Sequence, residues 1–227
     1  MDAKIAALFQ TLKYGSFEEK LEAITSLRNV SPEHLDGIRP VLLPMLQNDE
    51  SQAYRAAETL LALGDRSSPI LNFHLKWLRH ACREVHRVYP VDLSLRVRAL
   101  SFFDSSSPER TQVVEALEHA YESFASRPDL RAPVITALAV LGPESSRERI
   151  EYLAARSGWI PEEYRLLHFS AQIGLKSFGR GTYDEIATTA SRLVKEQKTA
   201  DEAAKDAAER EAERGPLDRL VRKLFTK

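Results

Sequence analysis

A single cysteine, Cys82, in 227 residues leaves no partner for an intramolecular disulfide, so packing alone has to hold this fold. That excludes the disulfide-framework class of small extracellular domains and fits a reducing compartment. Long apolar runs are missing too: no window approaches the roughly 18 uninterrupted apolar residues of a membrane-spanning helix. The opening MDAKIAALFQTLKYGS has an acidic second residue and no apolar run ending in a small-residue cleavage site, so it does not read as a signal peptide. The expected location is the cytoplasm. Net charge is also nearly absent, with 32 Lys and Arg against 33 Asp and Glu. A chain so balanced is not coated over its whole surface by nucleic acid or anionic lipid, and any charge-based recognition has to be local.

What is present is helical periodicity nearly everywhere, carried by 43% hydrophobic residues, and no convincing period-2 segment flanked by turn residues. The punctuation is regular. Ser31-Pro32-Glu33, Ser107-Pro108-Glu109, Arg127-Pro128-Asp129, Gly142-Pro143-Glu144 and Ile160-Pro161-Glu162 each place a proline and then an acid after a break. Proline at the first helical position loses no hydrogen bond, and a carboxylate there favours the positive end of the helix dipole, so each triplet predicts a helix start.

A longer period lies above this one. KLEAITSL, RAAETLLAL, RVRALSFF, RAPVITAL and RLLHFSAQ all begin with a base and continue into alanine and aliphatics, and Lys20, Arg55, Arg96, Arg131 and Arg165 are 35, 41, 35 and 34 residues apart. A base recurring at that period, each time heading a helix preceded by another helix, predicts stacked helical hairpins. The clearest unit is IRPVLLPMLQNDESQAYRAAETLLALG, residues 38–64, with a first helix, a polar turn at Asn48-Asp49-Glu50 and a second helix ending at Leu63-Gly64. In these features the chain resembles the HEAT family of α-solenoids and its relative the armadillo family, over residues 16 to about 178. The resemblance implies an all-α solenoid of about five HEAT-like hairpins with a C-terminal helical extension. It also implies a ladder between a turn aspartate and an inner-helix arginine, for which Asp92 with Arg96 and Asp129 with Arg131 are the nearest matches.

VDLSLRVRALSFFD, residues 91–104, sets two arginines inside an apolar helix. Leu93, Val97 and Leu100 form one line, and Leu95, Ala99 and Phe102 a second, which leaves Ser94, Arg98 and Ser101 as a narrow polar stripe. The spacing makes Arg98 a surface candidate and Arg96 structural. The segment before it, residues 68–90, reads as one helix with apolar lines through Leu71, Leu75, Leu78, Cys82, Val85 and Tyr89, and through Ile70, Phe73, Trp77, Ala81 and Val88. Its remaining face carries Lys76, Arg79, His80, Arg83 and Arg87. Residues 65–104 hold seven bases and four acids, whereas residues 1–64 hold six bases and nine acids. Two readings of the stripe stand open: a surface that holds phosphate, an acidic peptide or a nucleic-acid backbone through charge-assisted hydrogen bonds, and a solvated outer face with Trp77 in the core.

Candidate chemistry is thin. Cys82 and His86 share a helical spacing, but no second pair follows at zinc spacing, so a packed cysteine and an exposed histidine are expected. His168, within LLHFSAQIG, is expected to be buried and hydrogen-bonded, since no nucleophile with an orienting carboxylate can be assigned to it. Gly174-Leu175-Lys176-Ser177 lacks the upstream glycine and preceding strand of a phosphate loop. No cofactor and no metal is expected.

Beyond the glycine-rich hinge at 178–183, Tyr183, Ile186, Ala187, Ala190, Leu193 and Val194 form an apolar face able to cap the preceding hairpin. Three stretches result: a solenoid with its cap over 1–198, an alanine-and-charge stretch over 199–214 that is either a solvated helix or a linker, and a basic amphipathic helix over 215–227. In the last, Leu217, Leu220, Val221, Leu224 and Phe225 share one face, suited to docking on a partner, on the chain's own solenoid or, in third place, on a membrane. The function expected is a non-catalytic adaptor or scaffold. It would hold a protein partner, acidic in character, through Lys76, Arg79, Arg83, Arg87 and Arg98, with no dedicated nucleic-acid surface. The alternatives are those the resemblance brings: HEAT-like enzymes such as glycosylases of alkylated bases and bilin lyases, and a solenoid that binds duplex directly.

Overall fold

A computed structural model of the chain describes residues 3–104 and 107–213. Eleven α-helices and no strand occur among them: α1 Ala3–Tyr14, α2 Phe17–Leu27, α3 Leu35–Leu42, α4 Glu50–Ala62, α5 Ser68–Arg83, α6 Pro90–Leu100, α7 Arg110–Ser123, α8 Pro128–Leu141, α9 Glu144–Ala154, α10 Glu162–Lys176 and α11 Tyr183–Glu213. The proline and acid pairs do open helices. α8 starts on Pro128 itself, α9 and α10 have Pro143 and Pro161 as N-caps, and α3 and α7 begin within three residues of Pro32 and Pro108. Elsewhere side chains cap. Ser16 and Glu19 exchange bonds at the head of α2, and Asp49 accepts the Ser51 N–H at the head of α4.

Consecutive helices pair, α1 with α2, α3 with α4, α5 with α6, α7 with α8 and α9 with α10. The second members also touch one another: α2 packs on α4, α6 on α8 and α8 on α10. α8, lying between α6, α7, α9, α10 and α11, is apolar nearly all round, as RAPVITALAVL requires of a helix with no solvent face. The series has one seam. α4 and α6 make almost no close backbone approach, and the space between them is filled by side chains from α4, α5 and α6.

α5 ends at Arg83, earlier than its periodicity implies. Pro90, the first residue of α6, holds the preceding Tyr89 extended and so bars a single helix over 68–90. Val85–Arg87 form a separate 3-10 turn between the two helices, and Tyr89, expected on an apolar line, is 71% exposed. Leu95 and Phe102 also differ from expectation, being partly exposed at 37% and 41%.

The hinge is pinned by two glycines. Gly142, the left-handed C-cap of α8, lies against Gly179, and the Gly179 N–H donates to Ala139 O at 2.8 Å. From that turn α11 leads away as one uninterrupted helix. It buries Tyr183, Ile186 and Ala190 and half-buries Ala187, Leu193 and Val194 while packing against α10 and α8. Every residue from 195 to 210 is exposed, so the alanine-and-charge stretch is a solvated helix over 199–210. No helix among the described residues is long and apolar enough to cross a membrane.

Candidate partner-binding cleft

The seam between α4 and α6 is organised around Arg96. Three residues of α6 beyond Leu93, it points back into the body with its side chain only 5% exposed. Its guanidinium lies over three rings, Tyr54 of α4 at 4.7 Å, Phe73 of α5 at 4.7 Å and Trp77 of α5 at 5.3 Å. Guanidinium planes are weakly hydrated and attracted to ring faces, which is how a cation is tolerated at such depth. One nitrogen, Nη2, donates to Glu50 Oε1 at 3.1 Å, and Nη1 has no hydrogen-bond partner among the described residues. Burial draws the Arg96 pKa down and Glu50 is the strongest influence opposing it. The acid that meets Arg96 is thus Glu50, not the Asp92 of the expected ladder. At the second expected rung, Asp129 pairs with Arg127 through both oxygens, while Arg131 lies over the Tyr121 ring at 3.7 Å.

Beside Arg96, His74 is fully buried with both ring nitrogens unpartnered among the described residues, edge-on to Phe73 at 5.2 Å and to Tyr54 at 6.4 Å. Burial, and then the Arg96 charge, push its pKa from 6.5 to about 3. Burial also raises the Tyr54 phenol well above its ordinary range, assisted by Glu58. Spacing does carry a signal for His74, since position 74 lies between the two apolar lines of α5 and has no route to solvent. The His74 shift has a consequence for stability. The unfolded chain takes up a proton near pH 6.5 and the folded one holds out until about pH 3, so the unfolded state binds more protons throughout that window and stability falls as the pH is lowered through it. Between pH 7.5 and pH 5 the loss is expected to be on the order of 2 kcal/mol, and urea titrations of His74→Leu should show a much flatter profile.

Two clefts open on either side of Trp77 and share Glu50, Trp77 and Arg96. The larger, about 610 Å³, is walled by Leu43, Leu46, Ala53, Pro69 and Phe73, with Gln47, Asn48, Asn72, Lys76 and His80 at its polar edge. The smaller, about 280 Å³, adds Tyr54, Asp92 and Leu95.

The structure places the sequence candidates unequally around this feature. Lys76 lines the larger cleft, and Arg79 and Arg83 continue exposed along α5. None of the three forms an ion pair with a described residue, and Arg83 Nε donates only to the Arg79 carbonyl at 3.3 Å. Arg87 stands off the helix on the 3-10 turn, 3.7 Å from Glu84. Arg98 belongs to a different contact: it grips Asp184 of α11 with two hydrogen bonds of 2.8 and 2.7 Å, lies 3.7 Å from Glu58, and is held in the charged state by the Asp184 bond. Ser94 and the Tyr183 hydroxyl, 2.9 Å apart, complete the same junction. Leu217, Leu220, Val221, Leu224 and Phe225 lie outside the described residues.

The remaining histidines and the cysteine make no cluster. His168 is buried with Nδ1 2.9 Å from Leu153 O, His86 is exposed beside Glu84, and burial raises the pKa of the half-buried Cys82. Among the described residues no three His, Cys, Asp or Glu side chains stand close enough to hold a metal ion. Comparison with protein-family models, curated proteins and solved structures finds no match. The chemistry open to the cleft is therefore read from its own groups: a buried cation, a cationic rim and an apolar wall, the equipment to hold an anion that carries apolar neighbours.

Proposed function

We propose that the chain is a HEAT-like α-solenoid of about five hairpins acting as a non-catalytic cytoplasmic adaptor, which holds an acidic protein partner along α5 and the Arg96 cleft. The reading rests on one observation: Lys76, Arg79 and Arg83 stand in a row without acidic partners among the described residues, beside an open cleft with apolar walls. Solvated cations on a helix face usually alternate with acids, and here Glu84 alone follows, at the helix end. The helix pairing described above supports the solenoid, with α11 capping its last hairpin. Segment 215–227 serves as a second attachment point. Arg98, engaged by Asp184, contributes by holding α11 in place and not by meeting the partner.

Reversing Lys76, Arg79 and Arg83 to glutamate tests the reading. Partner capture from the native host should be lost, the melting midpoint should stay within about 2 °C of wild type because exposed charges contribute little, and wild-type capture should weaken as salt rises. Salt-insensitive capture that survives the reversal overturns the proposal, and tight binding to plain duplex DNA replaces it with the nucleic-acid alternative.

A further inference from the structure

Arg96 and Glu50 form an unequal pair. The donor is 5% exposed and the acceptor 73% exposed, so a buried cation depends on a carboxylate that stands mostly in water. An exposed carboxylate gains little from such a bond and keeps most of its side-chain freedom by leaving it. The cation cannot do the same, because a buried guanidinium without any acid is costly. Exchange of one carboxylate for another satisfies both conditions, since Arg96 is never left without a counter-charge.

We infer that Glu50 is a placeholder, and that a glutamate or aspartate of a partner peptide replaces it on Arg96 while the peptide's apolar side chains fill the larger cleft. This deepens the adaptor reading and rests on it. Three features favour a peptide carrying one such acid. The cleft wall of Leu43, Leu46, Phe73 and Trp77 suits aliphatic or aromatic side chains, and its volume of about 610 Å³ falls within the range of ligand pockets. Gln47 and Asn72 at the edge offer amides that match a peptide backbone. Asp92 lines only the smaller cleft and Glu50 lines both, so a polyanion laid across the two mouths meets two carboxylates, whereas a single acid entering the larger cleft, past Lys76 and His80, meets only the Glu50 that it replaces. Nucleic acid backbones and anionic lipid surfaces are disfavoured on the same ground.

A synthetic array of random dodecapeptides, probed with the full-length protein, tests this. Selected peptides should be enriched in Glu or Asp beside apolar residues. The best binder is then titrated by fluorescence anisotropy against four variants, alongside its copy with amides in place of acids. Glu50→Gln should bind the acidic peptide about fivefold more tightly, because the internal competitor is gone, and should leave the amide copy unchanged. Asp92→Asn removes a charge from the adjoining smaller cleft without touching the Arg96 bond and should tighten binding less. Arg96→Met keeps the side-chain volume and should weaken the acidic peptide at least tenfold. Should that variant not fold, the two carboxylate variants still decide the matter. A further readout is Trp77 emission in a Trp159→Phe background, which leaves one tryptophan in the chain and should shift on peptide binding.

Equal tightening in Glu50→Gln and Asp92→Asn, or none in either, overturns the placeholder role. If Arg79→Glu with Arg83→Glu still weakens binding in that case, the adaptor reading stands without it. An array that returns no acidic enrichment overturns both.

Discussion

Gly142→Ala is expected to cost about 3 to 4 kcal/mol in urea unfolding, from two causes that add. Gly142 has φ +60°, a left-handed conformation that costs an L side chain about 1 kcal/mol or more. A Cβ there would also stand 2.6 Å from Gly179 Cα and 2.9 Å from Gly179 N, which are backbone atoms and cannot rotate aside, adding an overpacking cost of about 2 kcal/mol. Gly179→Ala supplies the control. Its φ is also positive, at +70°, but its Cβ would meet Gly142 Cα at an ordinary 3.7 Å, so about 1 kcal/mol is expected. Equal losses for the two variants would mean that the close approach is not what holds the hinge. Because the hinge directs α11 onto α8 and α10, Gly142→Ala should also raise hydrogen exchange through the buried turns at Tyr183, Ile186 and Ala190.

The second large effect lies at the seam. Arg96→Ala is expected to cost about 3 kcal/mol: it removes a cation lying over three rings and opens a cavity between α4, α5 and α6. Arg96→Met, which restores much of the volume, should recover the greater part, since a well-packed apolar group often replaces a buried ion at little cost. Arg98→Ala should lose about 1 kcal/mol. Its fork to Asp184 is well formed, but that acid is 61% exposed and the bond is screened. The order Arg96→Ala, then Arg98→Ala, then Arg96→Met in destabilisation is what thermal melts should return. A loss from Arg96→Met as large as that from Arg96→Ala would show that the charge, and not the packing, holds the seam.

Much of this arrangement is legible in the amino-acid sequence alone. Helix starts follow from proline and acid chemistry that acts within three or four residues, and the apolar face of α11 from a spacing that one helix carries by itself. His168 and the depth of Arg96 follow likewise from the company each keeps within a single helix. The partners do not. Glu50 meets Arg96 across 46 positions and Asp184 meets Arg98 across 86, and neither pairing has a local signature because each depends on the path the chain takes between the helices. Arg87 shows a different limit. Its spacing extends the cationic stripe, yet Pro90, three residues downstream, has a stronger claim on the backbone, and a periodic pattern counts side chains without noticing that the helix has ended. Leu95 and Phe102 lie on a helix that is apolar on two sides, and which side stays wet is fixed by the width of the seam.

The seam also has a mechanical meaning. α2 joined to α4, and α6 joined to α8 and α10, form two blocks whose helices meet closely, while the blocks themselves meet through rings and the Arg96 and Arg98 guanidinia, with α5 spanning the joint. Side chains shear more readily than packed backbones, so the softest bending mode of the body is expected at this joint, where bending would widen or narrow the cleft. A segment wedged between Ala53 on one block and Arg96 on the other is expected to act as a cross-brace, so that occupancy of the cleft registers as stiffness along the length of the molecule.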